Sequence, residues 1–283
     1  MVHLVASLFQ AGVLFLFGFV IEAMLLADEK NTARNMAFNC WCALLYYVGA
    51  ATIGTLITLK LASLVQLFRF HGIIDLSRLN ANGNWLVAIA LSFLWIAIRD
   101  FFYYWMHRLQ HHSRWLWAEH ELHHSEEHMN VTTASRHHWL ETTLESIFVT
   151  TPLLILFRPP VITAVAAYIL SVSYGSFIHL NARISLGPLN CIFANPSTHR
   201  IHHSREAAHL DKNFAAFFPV WDVIFGTYCA PPQDRIPETG LASGSRVHSF
   251  SEAFLLPFQN WTRLIRKSVP DEGSRKPSPS AVT

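Results

Sequence analysis

Eight histidines in three short clusters constrain this chain more than any other feature. The stretch from Asp100 to Glu141 reads DFFYYWMHRLQHHSRWLWAEHELHHSEEHMNVTTASRHHWLE and carries His107 and His111, then His120, His123 and His124. His199, His202 and His203 form a third cluster about sixty residues downstream. In a helix, positions i, i+3 and i+4 share a face, so each cluster can aim its imidazoles at one spot. Two donors from the first cluster and three from each of the others make eight nitrogens, too many for one metal ion and suited to two.

The rest of the chain asks for a membrane. Of 283 residues 52% are hydrophobic and only 14% charged, against about 25% charged in ordinary soluble domains. The net charge of +2 offers no footprint for nucleic acid. Leu4 to Ala27 is an apolar run interrupted by Glu22, too long and too poor in basic residues for a signal peptide. A charged linker (Asp28, Glu29, Lys30, Arg34) precedes a second run, 37–67, in which Lys60 can snorkel. A polar loop with Arg69, Asp75, Arg78 and Asn80-Ala81-Asn82-Gly83-Asn84 leads to a third run from Trp85. That run closes on Arg99, Asp100 and the aromatic belt 101–105, and its helix is expected to continue outside the bilayer with His107 and His111. Two more apolar stretches, 144–157 and 161–180, flank Arg158-Pro159-Pro160, a turn signal that predicts a helical hairpin.

The expected architecture is therefore all-α: an integral membrane bundle of about four to five spans, hairpin included, under a helical cap built from 100–143 and 181–230. Three regions follow: N-terminal spans in 1–99, a catalytic region in 100–230 containing the 144–180 hairpin, and a C-terminal segment, 231–283. Its tail, basic from about Arg263 and then rich in Pro and Ser (Pro270, Pro277, Pro279), reads as disordered. Arg108, Arg114, Arg136, Arg200, Arg205 and Lys212 lie in the histidine-bearing regions, and Arg263, Arg266 and Lys267 in the tail. Their excess predicts a cytoplasmic cap. Cys40, Cys42, Cys191 and Cys229 form no CxxC pair and read as free thiols.

Of 17 histidines, 14 lie between His107 and His209. His3, His71, His128, His209 and His248 read as bystanders; His112 and His137, each one position from a better-placed neighbour, should point elsewhere. Imidazole suits zinc, copper, iron and nickel, whereas calcium and magnesium want oxygen. Structural zinc sites close with four ligands and often use cysteine. Iron gives such a two-metal centre a purpose, because it activates O₂; zinc is able to replace it in a purified sample. All-imidazole ligation leaves oxidised iron more positive than carboxylates would, suiting it to an unactivated C–H bond of a lipid. Ligating imidazoles also need braces on their other nitrogen. Asp100, Glu119, Glu121, Arg136, Glu141, Asn181 and Asp222 are the candidates.

The blocks DFFYYWMHRLQH, LWAEHELHHS, NVTTASRHHWLE, FIHLN, STHRIHHS, DKNFA and WDVIFGTY together resemble the fatty acid hydroxylase/sterol desaturase superfamily of membrane di-iron oxidoreductases. The resemblance covers roughly Trp95 to Tyr228. It implies O₂-dependent hydroxylation or desaturation of sterols, acyl chains or other alkyl lipids, with His107, His111, His120, His123, His124, His199, His202 and His203 as iron ligands and catalytic centre. His179 in FIHLN matches an additional family histidine, and His138 in RHHWLE is a further candidate ligand. DKNFA and WDVIFGTY also resemble the alkylglycerol monooxygenase branch, which cleaves ether lipids with a reduced pterin. No fused cytochrome b5 domain is present in the sequence. Electrons are therefore expected from a separate ferredoxin- or cytochrome b5-type protein, or from the pterin. The expected location is a bacterial inner membrane rather than the endoplasmic reticulum.

Two rivals come from the same residues. His120-Glu121-Leu122-His123-His124 satisfies H-E-x-x-H, the zinc metalloprotease motif in which glutamate is the base. That reading leaves His107, His111 and the third cluster unused. A metal transporter would want ionisable residues within several spans, whereas these histidines cluster beyond the apolar runs. The N-x-T matches at Asn130 and Asn260 carry no meaning on a cytoplasmic face. Hydroxylation is preferred to desaturation because it needs only one oxygen-insertion step.

Overall fold

The computed structural model describes residues 2–25, 32–68, 72–80 and 82–268. Asp28, Glu29, Lys30, Arg69, His71, Ala81 and the Pro/Ser-rich tail lie outside these residues, as does the side chain of His3.

Helix α1 spans Val2–Met24. Helix α2, Ala33–Gly49, passes through a π-helical turn, Ala50–Gly54, into α3, Thr55–Leu67. Helix α4 runs Trp85–His112, started by Asn84, whose side chain accepts the Leu86 and Val87 amides. Its last two turns carry His107 and His111 beyond the apolar stretch, as expected. Among the described residues four helical segments are long and apolar enough to cross a membrane: Leu4–Met24, Ala33–Leu67, Trp85–His112 and Val161–Ile178. Their outward faces carry exposed Phe9, Leu16, Phe17, Leu56 and Ile162, side chains that only lipid would solvate favourably. The molecule is an all-α integral membrane bundle.

The hairpin's first arm is a broken helix: α6, Glu141–Glu145, a π-helical turn, Ser146–Thr150, and α7, Thr151–Leu156. At 1.5 Å per residue it reaches only about 24 Å, short of a bilayer core of roughly 30 Å. The return arm is α8, Val161–Ile178. One small departure from an all-helical chain closes the end of the bundle away from the histidines. Strand β1, Ile74–Asp75, pairs in parallel with β2, Phe157–Arg158. Pro159 forces the residue before it out of helical geometry, and the extended backbone it leaves is paired by the loop.

Each π-helical turn packs against the helix that flanks the other, and Thr58 Oγ1 meets Ser146 Oγ at 2.7 Å. A Cβ on Gly54 would come within 2.6 Å of Thr142 Oγ1, so glycine sets this close approach. Glu22 faces the bundle: its Oε1 accepts the backbone amides of Val131 and Asn181, each at 2.8 Å.

The cap holds α5, Arg114–His124, α9, Pro196–His202, and α10, Val220–Ile224. Asn195 starts α9 with a capping box closed by Thr198, and Pro196 sits in its first turn. The C-terminal segment corrects an expectation. Phe250–Ser268 forms α11, so Arg263, Arg266 and Lys267 belong to a helix instead of a disordered tail. Its Ala253 and Leu256 are buried with Cys42, Leu122 and Val247. Asn130 is fully buried and caps the turn Val131–Ser135, which excludes it as a glycosylation acceptor.

Candidate metal centre

The clusters do not each aim at one spot; they divide their imidazoles between two. His107, His111, His120, His124 and His202 bring one nitrogen each within 4.8 Å of one another, and His123, His179, His199 and His203 form a second such group. In both H-x2-H-H motifs the i and i+4 residues stay together while the i+3 residue crosses to the other group. Helical geometry explains this: i+4 lies about 40° from i, whereas i+3 lies about 60° away on the other side. With α4 and α5 meeting α8 and α9 at the cap, the divergent residues interleave two sites. The groups adjoin, with the His124 and His203 rings stacked at 4.6 Å.

Backbone carbonyls orient the rings. His107 Nδ1 donates to Phe214 O at 2.7 Å, His179 Nδ1 to Gly175 O at 2.6 Å and His202 Nδ1 to Lys212 O at 2.9 Å. A carbonyl accepts only, so these rings carry their proton on Nδ1 and leave Nε2 as a bare lone pair. Those lone pairs are aimed at other ring nitrogens. Nε2 atoms face each other at 3.0 Å for His107–His120, 3.2 Å for His120–His124 and 3.2 Å for His111–His124. In the second group the spacings are 3.3 Å for His123–His179, 3.0 Å for His179–His199 and 3.2 Å for His199–His203. Burial first, and the neighbouring imidazoles after it, hold His123, His124, His199, His202 and His203 well below the usual imidazole range. Neutral rings with converging lone pairs repel unless a cation lies between them. Right angles at metal–nitrogen bonds of about 2.1 Å put ligand atoms roughly 3.0 Å apart, so the donor sets fit metal ions well.

The anticipated braces take three forms. Glu141 is a direct neighbour, 3.9 Å from His120 Nδ1. Its Oε2 also accepts Gln110 Nε2, which lies 3.3 Å from buried Glu119 Oε2. Burial, then the charge of Glu141, raises the Glu119 carboxyl far above the usual range. Burial opposes ionisation of Glu141 too, but its neighbours His120, His137 and Glu119 bring it well below that range. Glu119 therefore holds the proton of this pair.

Asp100 and Asp222 act through backbone. Asp100 accepts the amides of Ala216, Phe217 and Phe218, and Asp222 those of Phe214 and Ala215. Between them they fix the segment whose Phe214 carbonyl orients His107. Arg136 and Asn181 hold other parts of the cap. Arg136 clamps the end of α5 through Leu122 O and Ser125 Oγ, and is paired with Glu126 at 3.2 Å. The Asn181 side chain accepts from Arg200. Glu121 points away, its Oε2 accepting Asn260 Nδ2 at 2.6 Å from α11.

Two adjacent histidines exchange their expected places. His137 lies face to face with His123, ring centroids 4.0 Å apart, and groups with His120 and Glu141. His138 is turned outward, Nε2 donating to Phe254 O at 3.1 Å, and is no ligand candidate. The chain turns at 136–140 rather than running as a helix, so helical spacing from the other clusters could not decide between them. Asp211 was also missed, although it sits in the quoted DKNFA block. Its backbone is left-handed, φ 57°, as is that of Asn213 at 53°, conformations that Asp and Asn tolerate. They place Asp211 Oδ1 3.6 Å from His111 Nδ1 and Lys212 O on His202. Exposed His112 and His248 stay outside the centre, and buried His209 meets Ser204 instead.

Below the second group a cavity of about 440 Å³ opens between the membrane helices, with His123, His137, His179 and His199 at its head.

Comparison with known proteins agrees with this geometry. Residues 92–227 match the fatty acid hydroxylase family. Alkylglycerol monooxygenase of Homo sapiens is 42% identical over 129 residues, 46% of this chain and 28% of that protein. Alkylglycerol monooxygenase of Caenorhabditis elegans is 31% identical over 179 residues, 63% of this chain and 34% of its own. Ornithine lipid hydroxylase OlsE of Rhizobium tropici is 31% identical over 225 residues, covering 78% of this chain and 63% of that one. The chain thus spans about a third of the alkylglycerol monooxygenases it matches. No solved structure matches it at a significant level. With its histidine boxes inside residues 92–227, the chain resembles the fatty acid hydroxylase family over that segment.

Proposed function

We propose that this chain is a membrane-bound di-iron oxygenase that hydroxylates a lipid with O₂ and externally supplied electrons. One observation carries the reading: nine buried or half-buried imidazoles converge in two adjoining groups, at the head of a cavity open between membrane helices. Iron bound there supplies O₂ activation and a strong oxidant. In the net reaction one oxygen atom enters a C–H bond. The other leaves as water, with two electrons from the donor and two protons.

The chain's own residues hold and insulate the centre. Phe214, Lys212 and Gly175 carbonyls keep Nδ1 protonated and Nε2 free. Burial keeps the rings neutral, as ligands must be. Glu141 braces His120, with the Glu119 proton beside it. The cavity brings lipid to the second group while the cap closes the centre from bulk water.

A ferredoxin- or cytochrome b5-type protein or a reduced pterin supplies the electrons. The basic residues of the cap and of α11 support a cytoplasmic face. Similarity to two alkylglycerol monooxygenases favours a second reading, ether-lipid oxidation at the same centre. The protease reading loses its base, because Glu121 faces α11.

The test is metal content with oxygen uptake. Purified chain should hold about two irons and, with a reductase supplied, transfer isotope-labelled oxygen into a lipid from a total extract. One tightly held zinc, with peptide hydrolysis that continues without oxygen, would overturn the reading.

A further inference from the structure

The cavity below the second histidine group is lined in an unexpected way for a lipid site. It lies between α1, α2, α3, α4, α6 and α8, at the depth where these helices show lipid their apolar faces. Yet among the described residues Leu59, Val172 and Ile178 are its only aliphatic lining residues larger than alanine. Tyr46, Thr58, Ser146 and Ser171 line it instead, together with the ion pair Arg99–Glu145, whose Nη2 and Oε1 are 3.5 Å apart. Ser171 Oγ is buried without a hydrogen-bond partner among the described residues. Arg99 stands two helical turns before His107 on α4, roughly 12 Å nearer the bilayer centre. Ionisable and hydrogen-bonding groups at that depth are costly, and where they face a cavity they mark a substrate path. Both π-helical turns border the same cavity through Ala50, Gly54, Ser146 and Thr150, and such turns collect at functional sites.

We propose that the cavity receives the polar head of a lipid, so that the carbon oxidised lies in the head group or directly beside it, and that Arg99 and Glu145 select for that head. An aliphatic tail would meet the apolar part of this lining but would strip water from the ion pair without replacing its hydrogen bonds. A head bearing hydroxyl, amide or ammonium groups replaces those bonds and satisfies Ser171, while its tail leaves between the helices into the bilayer. The proposal rests on the oxygenase reading and specifies its substrate class.

The test uses full-length iron-loaded protein in detergent, a reductase, labelled O₂ and lipids sharing one saturated alkyl chain. The set comprises an alkylglycerol, an aminoacyl lipid and the plain alkane. Fragment masses should place the label in the head or on the adjoining carbon. Arg99→Met combined with Glu145→Gln should lower kcat/KM for the headed lipids at least about tenfold, because a site built to hydrogen-bond discriminates strongly when those bonds are lost. Native mass spectrometry of metal-free protein should show the same variant losing its preference for headed lipids over the alkane. Ser171→Ala and Thr58→Val supply the same comparison, with smaller losses, if the double variant fails to fold. Label in mid-chain positions, or equal use of the alkane, would overturn the proposal and leave the oxygenase intact. Iron-loaded protein that labels no lipid would overturn the oxygenase reading and this proposal together.

Discussion

His137 presents its ring face to His123 and groups with His120 and Glu141, whereas His138 beside it reaches only a carbonyl of α11. Their losses should therefore differ. His137→Ala removes a wall of the second group and a neighbour of His120, and should lower iron affinity by roughly 10- to 100-fold, the usual cost of losing an outer partner. His138→Ala should leave iron content unchanged, as read by metal analysis of the purified variants. The same logic separates His107 from Glu121. His107→Ala opens the five-histidine group and should abolish oxygen transfer. Glu121→Gln keeps a hydrogen-bonding side chain toward Asn260 and should retain most activity. A zinc protease would show the reverse order, since its glutamate is the base and His107 has no place in its site.

Helix α11 is the element that most changes the picture of the chain. Its inner face buries Ala253 and Leu256, while Phe254, Leu255, Phe258 and Ile265 are exposed and Arg263, Arg266 and Lys267 follow. It is fastened to α5 by Asn260 on Glu121 and by Trp261 Nε1 on the Trp115 carbonyl at 2.7 Å. A third fastening is His138, which accepts the Leu140 amide on Nδ1 and donates to Phe254 from Nε2. That pattern needs a neutral ring, and burial lowers the His138 pKa to about 4 despite the Phe254 carbonyl. An undocked His138 takes up its proton near pH 6.5. The fastening is thus fully present above about 6.5 and is lost progressively as pH falls toward about 4. A spin label at exposed Gln259 should gain mobility over that range. His138→Gln, which does not titrate, should remove the pH dependence.

At the scale of the whole molecule, two histidine-bearing segments separated by a membrane hairpin must meet on one side. The tip of the hairpin, where β2 pairs with β1, lies at the far end of the bundle. Single cysteines at Ser125, Ser204 and Arg266 in a background without Cys40, Cys42, Cys191 and Cys229 should all react with an impermeant reagent from the cytoplasmic side. A cysteine at Arg158 should be shielded or react from the opposite side. Labelling of Ser125 and Ser204 from different sides would make a shared centre impossible. Permeabilised cells, in which both sites must react, control for the burial of these two serines.

Some of this was already settled by the one-dimensional pattern. Runs of apolar residues determined that the chain spans a membrane, because hydrocarbon accepts a helix only where a continuous stretch of apolar side chains covers it. The count and type of donors pointed to two nitrogen-loving ions, because ligand chemistry belongs to residue type. Helix periodicity placed His107 and His111 on one side of α4. The division into groups of five and four, the exchange of His137 for His138, and the indirect action of Asp100 and Asp222 depended on tertiary structure. Each turns on which backbone crosses which, at distances far along the chain. Periodicity within one helix cannot encode where a second helix, a carbonyl or a left-handed Asp211 will stand against it.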